Sequence, residues 1–445
     1  MVQSCTSFNI EGNFQLSRPM FRVMALASLI ALAGCHRQAD APSDAPTGLK
    51  VEEGDGQVTV SWDQQPGLTY WIFFQAGSTV TAAAPGVPLI FDAHSPRVLF
   101  PLVNGTQYAF VMNATNRDSR AGPSTPVMTQ TPRLSGKNWT SGPSLGPQNL
   151  NGVAYNPVLN RIVAVGDAAT LFAGDFNYTN TIPNPGVTAW TAATSIPAGF
   201  VSDLSAVTFS GSVFIALGTD GSILTSPDGN TWTAATSVPS GGPAGPRMNS
   251  IAFGLISGAP IYVAVGDGGN IFTSTDNLVT WTPAASNTPN HLYNVSSPNG
   301  NFVVTGANGT LLTSADASIW ILQSSNTLNA LRGATYGTGS APGASAQYVV
   351  VGDSGTIVTS TNLTDWNPVT PPPLSQHLRA IRFGTRFVAV GQGGAAVYSD
   401  DAVNWPLSSV PGFPQGSPAP DLASIIFTPA MYLAVGASGA NAVSK

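Results

Sequence analysis

The chain has 445 residues, of which 43% are hydrophobic and only 9% are charged, and its formal net charge is −6. This composition excludes a disordered chain, and an acidic balance without any basic run excludes nucleic acid as a partner. The 47 glycines and 36 prolines are typical of a secreted all-β protein built from short strands and many turns.

The first 35 residues are predicted to be a signal peptide. Arg18 and Arg22 precede an apolar run at 23–33, and residues 32–35 read Leu-Ala-Gly-Cys. A charged start, an apolar stretch too short to span a bilayer and a small-residue cleavage site form the pattern of a secretory signal. No disulfide is expected in the mature chain, because Cys35 would be its one remaining cysteine.

Residues 32–35 also resemble the lipobox of bacterial lipoproteins. The resemblance implies that cleavage leaves Cys35 as the first residue and that its acylated side chain anchors the protein in a membrane. His36 stands where an aspartate would imply retention in the inner membrane, so the expected location is the outer membrane of a bacterial cell envelope. Residues 36–47 are rich in Ala, Pro and Asp and are predicted to be a flexible linker.

Residues 46–133 carry the pattern of a β-sandwich. Apolar and polar residues alternate around 58–62 and 108–114, which predicts half-buried strands. Trp62 in the first run and Thr106-Gln-Tyr108 at the start of the second resemble a fibronectin type III domain, where such a tyrosine forms the tyrosine corner. The resemblance implies a spacer that lifts the following domain off the membrane.

Residues 134–445 contain seven copies of one pattern, and repeats of about 40–50 residues indicate solenoids or propellers. Each copy has an apolar run that ends in glycine, a short turn and a second apolar run. The glycines are Gly166, Gly218, Gly266, Gly306, Gly352, Gly391 and Gly436. Six copies continue to a tryptophan: Trp190, Trp232, Trp281, Trp320, Trp366 and Trp405. Short β-branched and aromatic runs without a helical period predict four strands per copy, which is the blade of a β-propeller.

The seventh copy lacks its tryptophan, while an unmatched Trp139 precedes the first copy. We therefore predict that residues 138–140 supply the outer strand of the last blade, which is formed by residues 422–445. This pairing would remove an open sheet edge. The predicted fold is all-β, with a fibronectin type III sandwich followed by a seven-bladed β-propeller that its N-terminal strand closes.

The turn ahead of several tryptophans resembles the Asp-box, or BNR repeat, of sialidase-like and photosystem-assembly-factor-like propellers. Copy two reads Ser226-Pro-Asp228-Gly-Asn-Thr-Trp232, and Asp276, Asp316 and Asp401 hold the same place in other copies. The resemblance implies that these residues serve folding. The Gly-Asp-Ser-Gly at 352–355 fills the slot of the other hairpin turns, so we predict a turn and not a protease nucleophile loop.

Each copy begins at an anchor, the first apolar residue of its predicted inner strand. The anchors are Leu150, Leu204, Met248, Leu292, Leu331, Leu378 and Leu422. The residues on either side of the anchors are expected to surround one mouth of a central channel. Six of them form the candidate ligand face: Arg247, His291, Tyr293, Arg332, His377 and Arg379. Because arginine presents a fixed set of donors, the face predicts an anionic ligand; a polar rim without a ligand is the alternative.

The sequence contains no zinc pattern, no P-loop and no nucleophile elbow, so no metal ion, cofactor or catalytic residue is predicted. The favoured function is a monomeric, lipid-anchored binding or scaffold protein whose propeller recognises an envelope protein or a glycan. The alternatives are a sialidase-like glycoside hydrolase and a carbohydrate-binding protein. Sialidases pair a tyrosine nucleophile with a carboxylate, and residues 134–445 contain no glutamate.

Overall fold

The computed structural model describes residues 40–116, 120–177, 186–187, 189–239, 245–408, 419–429 and 431–444. Apart from six short 3-10 turns, the regular elements in these ranges are β-strands, so the predicted all-β class is confirmed. The predicted signal peptide, Cys35 and residues 36–39 lie outside the described residues. No helix in the described ranges is long and apolar enough to cross a membrane.

Residues 46–133, called the N-terminal unit below, form two antiparallel sheets. Their strands are β1 Lys50–Gly54, β2 Gln57–Ser61, β3 Leu68–Ala76, β4 Leu89–Ala93, β5 Arg97–Leu99, β6 Tyr108–Asn116 and β7 Met128–Gln130. One sheet has the order β1-β2-β5 and the other β4-β3-β6-β7. The facing sides bury Trp62, Tyr70, Ile72, Phe110 and Met112 in one core. Alternate residues of the long strands enter this core, as the period of two in the sequence requires.

Local hydrogen bonds fix both ends of the N-terminal unit. Tyr108 begins β6, and its hydroxyl accepts a bond from the Val103 N–H at 3.1 Å. At the other end the Asp63 N–H donates to the Thr47 carbonyl at 3.0 Å. Residues 40–47 of the predicted linker therefore reach the N-terminal unit at the end that carries Asp63.

Residues 134–444, called the repeat unit, form seven sheets in the described ranges. The strand β8 Thr140–Ser141 comes first. Sheet 1 contains β9 Leu150–Asn156, β10 Arg161–Gly166, β11 Thr170–Asn177, β12 Gly186–Val187 and β13 Thr191–Ala192. Sheet 2 contains β14 Leu204–Phe209, β15 Phe214–Gly218, β16 Ile223–Ser226 and β17 Thr233–Ala234. Sheet 3 contains β18 Met248–Ile256, β19 Ala259–Gly266, β20 Ile271–Ser274 and β21 Thr282–Ala284.

Sheets 4 to 7 follow the same plan. Sheet 4 contains β22 Leu292–Ser296, β23 Phe302–Gly306, β24 Leu311–Ser314 and β25 Ile321–Leu322, and sheet 5 contains β26 Leu331–Thr338, β27 Ala346–Gly352, β28 Ile357–Ser360 and β29 Asn367–Pro368. Sheet 6 contains β30 Leu378–Phe383, β31 Phe387–Gly391 and β32 Ala396–Ser399. Sheet 7 contains β33 Leu422–Thr428, β34 Met431–Gly436 and β35 Asn441–Ser444. Sheet 7 also includes β8, which pairs with β35. Each sheet is antiparallel, so neighbouring strands need only short turns.

The first strands of the seven sheets form a ring. Each of β9, β14, β18, β22, β26, β30 and β33 contacts the next in this order, and β33 contacts β9. The second strand of each sheet lies in the middle of that sheet and between two neighbouring sheets. It is therefore buried on both faces, as the unexposed Val163, Val263 and Val388 show.

The repeated glycines mark a close approach of two strands. Each glycine ends the second strand of a sheet, and each anchor begins a first strand. Six of these glycines lie so near the carbonyl oxygen of the residue before the anchor that a Cβ atom would overlap it: Gly166, Gly266, Gly306, Gly352, Gly391 and Gly436. The φ angles at Gly266 and Gly306 are −157° and −162°. Because this backbone is extended, the lack of a side chain and not a left-handed turn requires glycine here.

A second repeated device is a hydrogen-bonded turn between the third and fourth strands. In sheet 2 the Ser226 hydroxyl accepts from the Gly229 N–H at 2.8 Å, and Asp228 Oδ1 accepts from two backbone N–H groups at 2.9 Å each. The Trp232 indole donates to the Gly229 carbonyl at 3.0 Å. Equivalent indole bonds come from Trp320, Trp366 and Trp405. In these four sheets the turn thus fixes the tryptophan in the core beneath it.

Sheet 7 builds a turn with the same serine–glycine bond from the two ends of the repeat unit. Its third strand ends at Ser444, whose hydroxyl accepts from the Gly136 N–H at 2.7 Å. Gly136 precedes Trp139 by three residues, the spacing between glycine and tryptophan in sheet 2. We call residues 136–139 together with Ser444 the split turn. It leads directly into β8 and so connects the start of the repeat unit to its last sheet.

The carboxylates of the intact turns predict a loss of stability at low pH. Hydrogen bonds from Thr280 lower the pKa of Asp276 to about 2, and the Ile319 N–H does most to lower that of Asp316 to about 2. Both values lie below the ordinary 3.8, so this stabilisation is complete above 3.8 and is lost as the pH falls towards 2. Combining Asp276→Asn with Asp316→Asn should flatten the fall in melting temperature between about pH 4 and pH 2.

Asparagine is a fair substitute at these positions because it keeps an oxygen acceptor. Sheet 5 already uses Asn362, whose Oδ1 accepts two backbone N–H bonds at 3.0 and 2.9 Å. Thermal unfolding measured across the acid range should therefore show similar stability at neutral pH and a shallower slope for the double variant. An unchanged slope would mean that these carboxylates do not control the acid transition.

Candidate functional site

The ring of first strands surrounds a channel of about 630 Å³, a volume in the range of ligand pockets. Residues from all seven strands line it. The residue directly after an anchor faces the channel in every sheet: Asn151, Ser205, Asn249, Tyr293, Arg332, Arg379 and Ala423. Since the anchors are buried where the strands begin, these residues lie at one mouth of the channel.

Three of the six predicted ligand residues line the channel, namely Tyr293, Arg332 and Arg379. The Arg332 guanidinium lies 4.7 Å from the centroid of the Tyr293 ring. It also donates two hydrogen bonds of 2.6 and 2.9 Å to the Asp353 carboxylate. Arg379 Nη2 lies 3.6 Å from the Asp421 carboxylate. Of the three predicted arginines, the two that line the channel therefore face carboxylates of the protein itself.

Charge pairing at the mouth is tightest between Arg332 and Asp353. Burial acts to raise the pKa of Asp353, but the hydrogen bonds and charge of Arg332, helped by His377 and Arg379, outweigh it and lower the pKa. The hydrogen bond to Asp353 raises the pKa of Arg332 in turn, against the effect of burial. The bidentate donors of Arg332 are thus already occupied.

The two predicted histidines precede their anchors and do not line the channel. The Gly268 N–H donates to His291 Nδ1 at 3.3 Å, and the Ser354 N–H donates to His377 Nδ1 at 3.1 Å. Each bond joins a histidine to the turn of the preceding sheet. Residues at the same position make this bond in three further sheets: Asn149, Asp203 and Asp421. The position serves contact between sheets, which the sequence pattern did not indicate.

Arg247, the sixth predicted residue, is exposed beside the mouth and does not line the channel. Other polar residues of the mouth are occupied by structure. Asn151 donates to Asp167 at 2.8 Å and to the carbonyl of the next anchor at 3.0 Å. Asn249 does the same with Asp267 at 2.9 Å and the next anchor at 2.8 Å. Much of the polar rim therefore joins one sheet to the next.

Arg382 is a channel residue that the sequence pattern missed. It lies within β30, four positions beyond the anchor Leu378, and lines the channel. Its guanidinium forms no ion pair or hydrogen bond with any residue of the described ranges. Burial lowers the pKa of Arg382, while Tyr432 acts in the opposite direction. The side chain is nevertheless exposed, on the part of β30 that lines the channel.

The electrostatic character of the channel follows from its lining. The described residues that line it include three arginines and neither aspartate nor glutamate. In the other sheets the position of Arg382 is held by a small or apolar residue: Ala154, Thr208, Ala252, Ser296, Thr335 and Ile426. This contrast within the repeat is the sequence signal that could have identified Arg382.

The fold is shared with solved structures of low sequence identity. YCF48 bound to a D1 peptide matches with a TM-score of 0.51 and 15% identity, over 68% of this chain and 96% of that chain. The WD40 β-propeller domain of Doa1 matches with a TM-score of 0.51 and 12% identity, over 69% and 97%. The repeat unit is a β-propeller. Its seven sheets are the blades, and blades 1 to 7 below are sheets 1 to 7 of the described ranges.

A third propeller neighbour is an enzyme. A catalytically inactive variant of virginiamycin B lyase from Staphylococcus aureus, solved with quinupristin, matches with a TM-score of 0.54 and 10% identity, over 69% of this chain and 99% of that chain. No protein-family model matches the chain, and no curated protein matches it. At these identities the likeness shows the fold of the propeller alone.

Proposed function

We propose that the protein is a lipid-anchored binding protein of the bacterial cell envelope whose propeller recognises a partner without catalysis. In this proposal residues 1–35 are a lipoprotein signal peptide, and Cys35 carries the lipid in the outer membrane. Residues 46–133 are a fibronectin type III-like spacer, supported by the two-sheet order and the Tyr108 corner. Residues 134–445 are a seven-bladed Asp-box propeller, supported by the pairing of β8 with β35.

The observation that carries the recognition role is Arg382, which lines the channel without a carboxylate partner in the described ranges. Arg382 is exposed within the channel, and a cleft with low-dielectric walls focuses the field of a cation, so an anionic ligand gains more there than on an open surface. Arg379 lies three residues earlier on the same strand, about 10 Å towards the mouth. A ligand that enters past Arg379 would bring a negative group to Arg382. The channel, and not the rim, is therefore the proposed site.

A peptide segment with a free carboxylate is the ligand that we favour. Arginine suits a carboxylate because its planar donors bind both oxygens. The rest of the lining includes neutral hydrogen-bonding side chains such as Asn294, Ser296 and Thr208, which suit backbone groups of a peptide. YCF48, which shares the fold, was solved bound to a D1 peptide, and this supports a peptide ligand for the propeller of this protein.

Arg382→Ala should weaken peptide binding by about 2 kcal/mol, or roughly thirtyfold in Kd, because it removes the charge-assisted hydrogen bonds to the peptide carboxylate. The soluble Cys35→Ser chain would be tested on an array of C-terminal peptides from envelope proteins, each with a free or an amidated terminus. Fluorescence anisotropy would then give Kd for the peptides that bind.

The matched control is Arg247→Ala, because Arg247 is a cation that lies outside the channel lining. It should leave Kd and the melting temperature unchanged. Loss of binding in Arg247→Ala but not in Arg382→Ala would place the site on the rim. Equal binding of free and amidated peptides would exclude an anionic terminus, and a glycan array that binds where peptides fail would favour the carbohydrate alternative.

A further inference from the structure

The outer face of the sheet β4-β3-β6-β7 is apolar. Tyr70 and Ile72 of β3 enter the core between the two sheets, so Trp71 and Phe73 lie on the opposite face. On that face Phe73 and Val111 are 2% and 3% exposed, because the segment 77–88 packs over them. A sheet in a two-sheet sandwich commonly has a polar outer face, so the apolar residues left uncovered on this face call for an explanation.

The segment 77–88 does not cover the residues of β4 on this face. Leu89 and Phe91 lie two positions apart on this strand and therefore share one face. They are 44% and 61% exposed. The Phe91 ring packs edge-on against Trp71, with centroids 4.7 Å apart and planes at 68°. This contact fixes the orientation of Phe91 although most of the ring is exposed. We call Trp71, Leu89 and Phe91 the aromatic edge.

Trp71 and Phe91 of the aromatic edge lie towards the point where the chain enters the N-terminal unit, and Leu89 lies further along the sheet. The strand β4 ends at Ala93, and Ser95 just beyond it bonds to the backbone of Trp62 at 2.7 and 2.8 Å. Asp63 is the next residue, and it is bonded to Thr47. Four residues lie between Cys35 and Asp40, the first described residue, so the two residues are at most about 18 Å apart. A lipid on Cys35 would therefore hold this end of the N-terminal unit beside a bilayer.

We infer that the aromatic edge docks the N-terminal unit onto the lipid surface in which Cys35 is anchored; the inference rests on the proposed lipidation. Exposed aromatic and aliphatic side chains at one end of a domain favour the boundary between headgroups and acyl chains. Three side chains would bind a membrane only weakly by themselves. The lipid tether removes this limit, because it makes docking an intramolecular step.

The test supplies the tether chemically, so that it does not depend on processing in the cell. The mature chain from Cys35 would be coupled through its thiol to a maleimide phospholipid in phosphatidylcholine–phosphatidylglycerol vesicles. An environment-sensitive fluorescent amino acid would replace Phe91 in one variant and Leu322 in its control. Leu322 is matched because it is 56% exposed and lies in β25 of the propeller.

The probe at position 91 should show a blue shift and lose fluorescence when the acyl chains carry bromine. The probe at position 322 should show neither change. Equal signals at both positions, in variants with wild-type melting temperatures, would overturn the docking. A blue shift at 91 without quenching by bromolipids would indicate contact with protein and would also overturn it.

Labelling cells with radioactive palmitate tests the anchor separately. Label should enter the wild type and not Cys35→Ser. Label retained in Cys35→Ser, or absent from the wild type, would refute the proposed lipidation, while the vesicle assay would still decide whether the aromatic edge binds lipid. If the wild type is labelled with palmitate but the probe at position 91 shows no blue shift, the lipidation of Cys35 is supported and the docking is refuted.

Discussion

Replacing Trp139 with alanine should lower the free energy of unfolding of the propeller by about 3–5 kcal/mol. The side chain is 1% exposed and packs in the core between blades 6 and 7, with Val388 and Tyr432. It directly precedes β8, whose pairing with β35 gives blade 7 its fourth strand. The alanine variant therefore leaves a cavity and also loosens the closing strand. Chemical denaturation of the soluble Cys35→Ser chain, followed by circular dichroism, measures the change.

Trp139→Phe is the control for this experiment. The indole N–H of Trp139 has no hydrogen-bond acceptor in the described ranges, unlike the indole of Trp232. Phenylalanine would therefore lose packed area but no hydrogen bond, and its cost should be much smaller than that of alanine. An alanine variant that unfolds at the same denaturant concentration as the wild type would show that the closing strand adds nothing to stability.

Asp55→Ala should cost about 3 kcal/mol of unfolding free energy, because it leaves several buried donors without an acceptor. Asp55 lies between β1 and β2 and is 6% exposed. Its carboxylate accepts from the Ser135 N–H and hydroxyl at 3.1 and 2.8 Å, from Thr385 at 2.8 Å and from Asn104 at 2.7 Å. Thr385 belongs to blade 6, so this one side chain connects the N-terminal unit with the propeller.

The expected signature of Asp55→Ala is more than a lower melting temperature. Ser135 directly precedes the split turn, so its release should expose the segment around residues 133–137 to limited proteolysis. Asp55→Asn keeps one oxygen acceptor and should be affected less. Asp63→Ala removes an exposed carboxylate that accepts a hydrogen bond from the Thr47 hydroxyl, and it should change neither property. Resistance of Asp55→Ala to protease at wild-type levels would refute this account of the junction.

The propeller could be predicted from the sequence because its signals are local and repeated. Every anchor begins a first strand, and every repeated glycine ends a second strand. The glycine is required by a backbone contact within one sheet, so the constraint recurs in each copy at the same place. A pattern of this kind survives even where the intervening loops differ in length.

The site could be predicted only in part, because charge partners are not local. The sequence placed Arg332 and Arg379 at the mouth, but it did not show that Asp353 and Asp421 face them. The histidines were expected to meet a ligand, yet both accept backbone N–H groups of a neighbouring sheet. Arg382 lies within the predicted strand that begins at Leu378, and nothing in the sequence of that strand marked it as a channel residue. What decides its role is the lack of a partner across the ring, and a single strand does not reveal that.

The split turn determines when the propeller can be completed. Gly136 and Ser444 are bonded to each other although they lie 308 positions apart in the chain. The ribosome therefore produces one half of the turn long before the other, and blade 7 cannot form until residue 444 has been made. Contacts of such long range form slowly, and unpaired strand edges are prone to aggregation in the meantime. The N-terminal unit is made first, and its Asp55 can already bind Ser135. This contact would hold residues 136–139 near the N-terminal unit until Ser444 has been made.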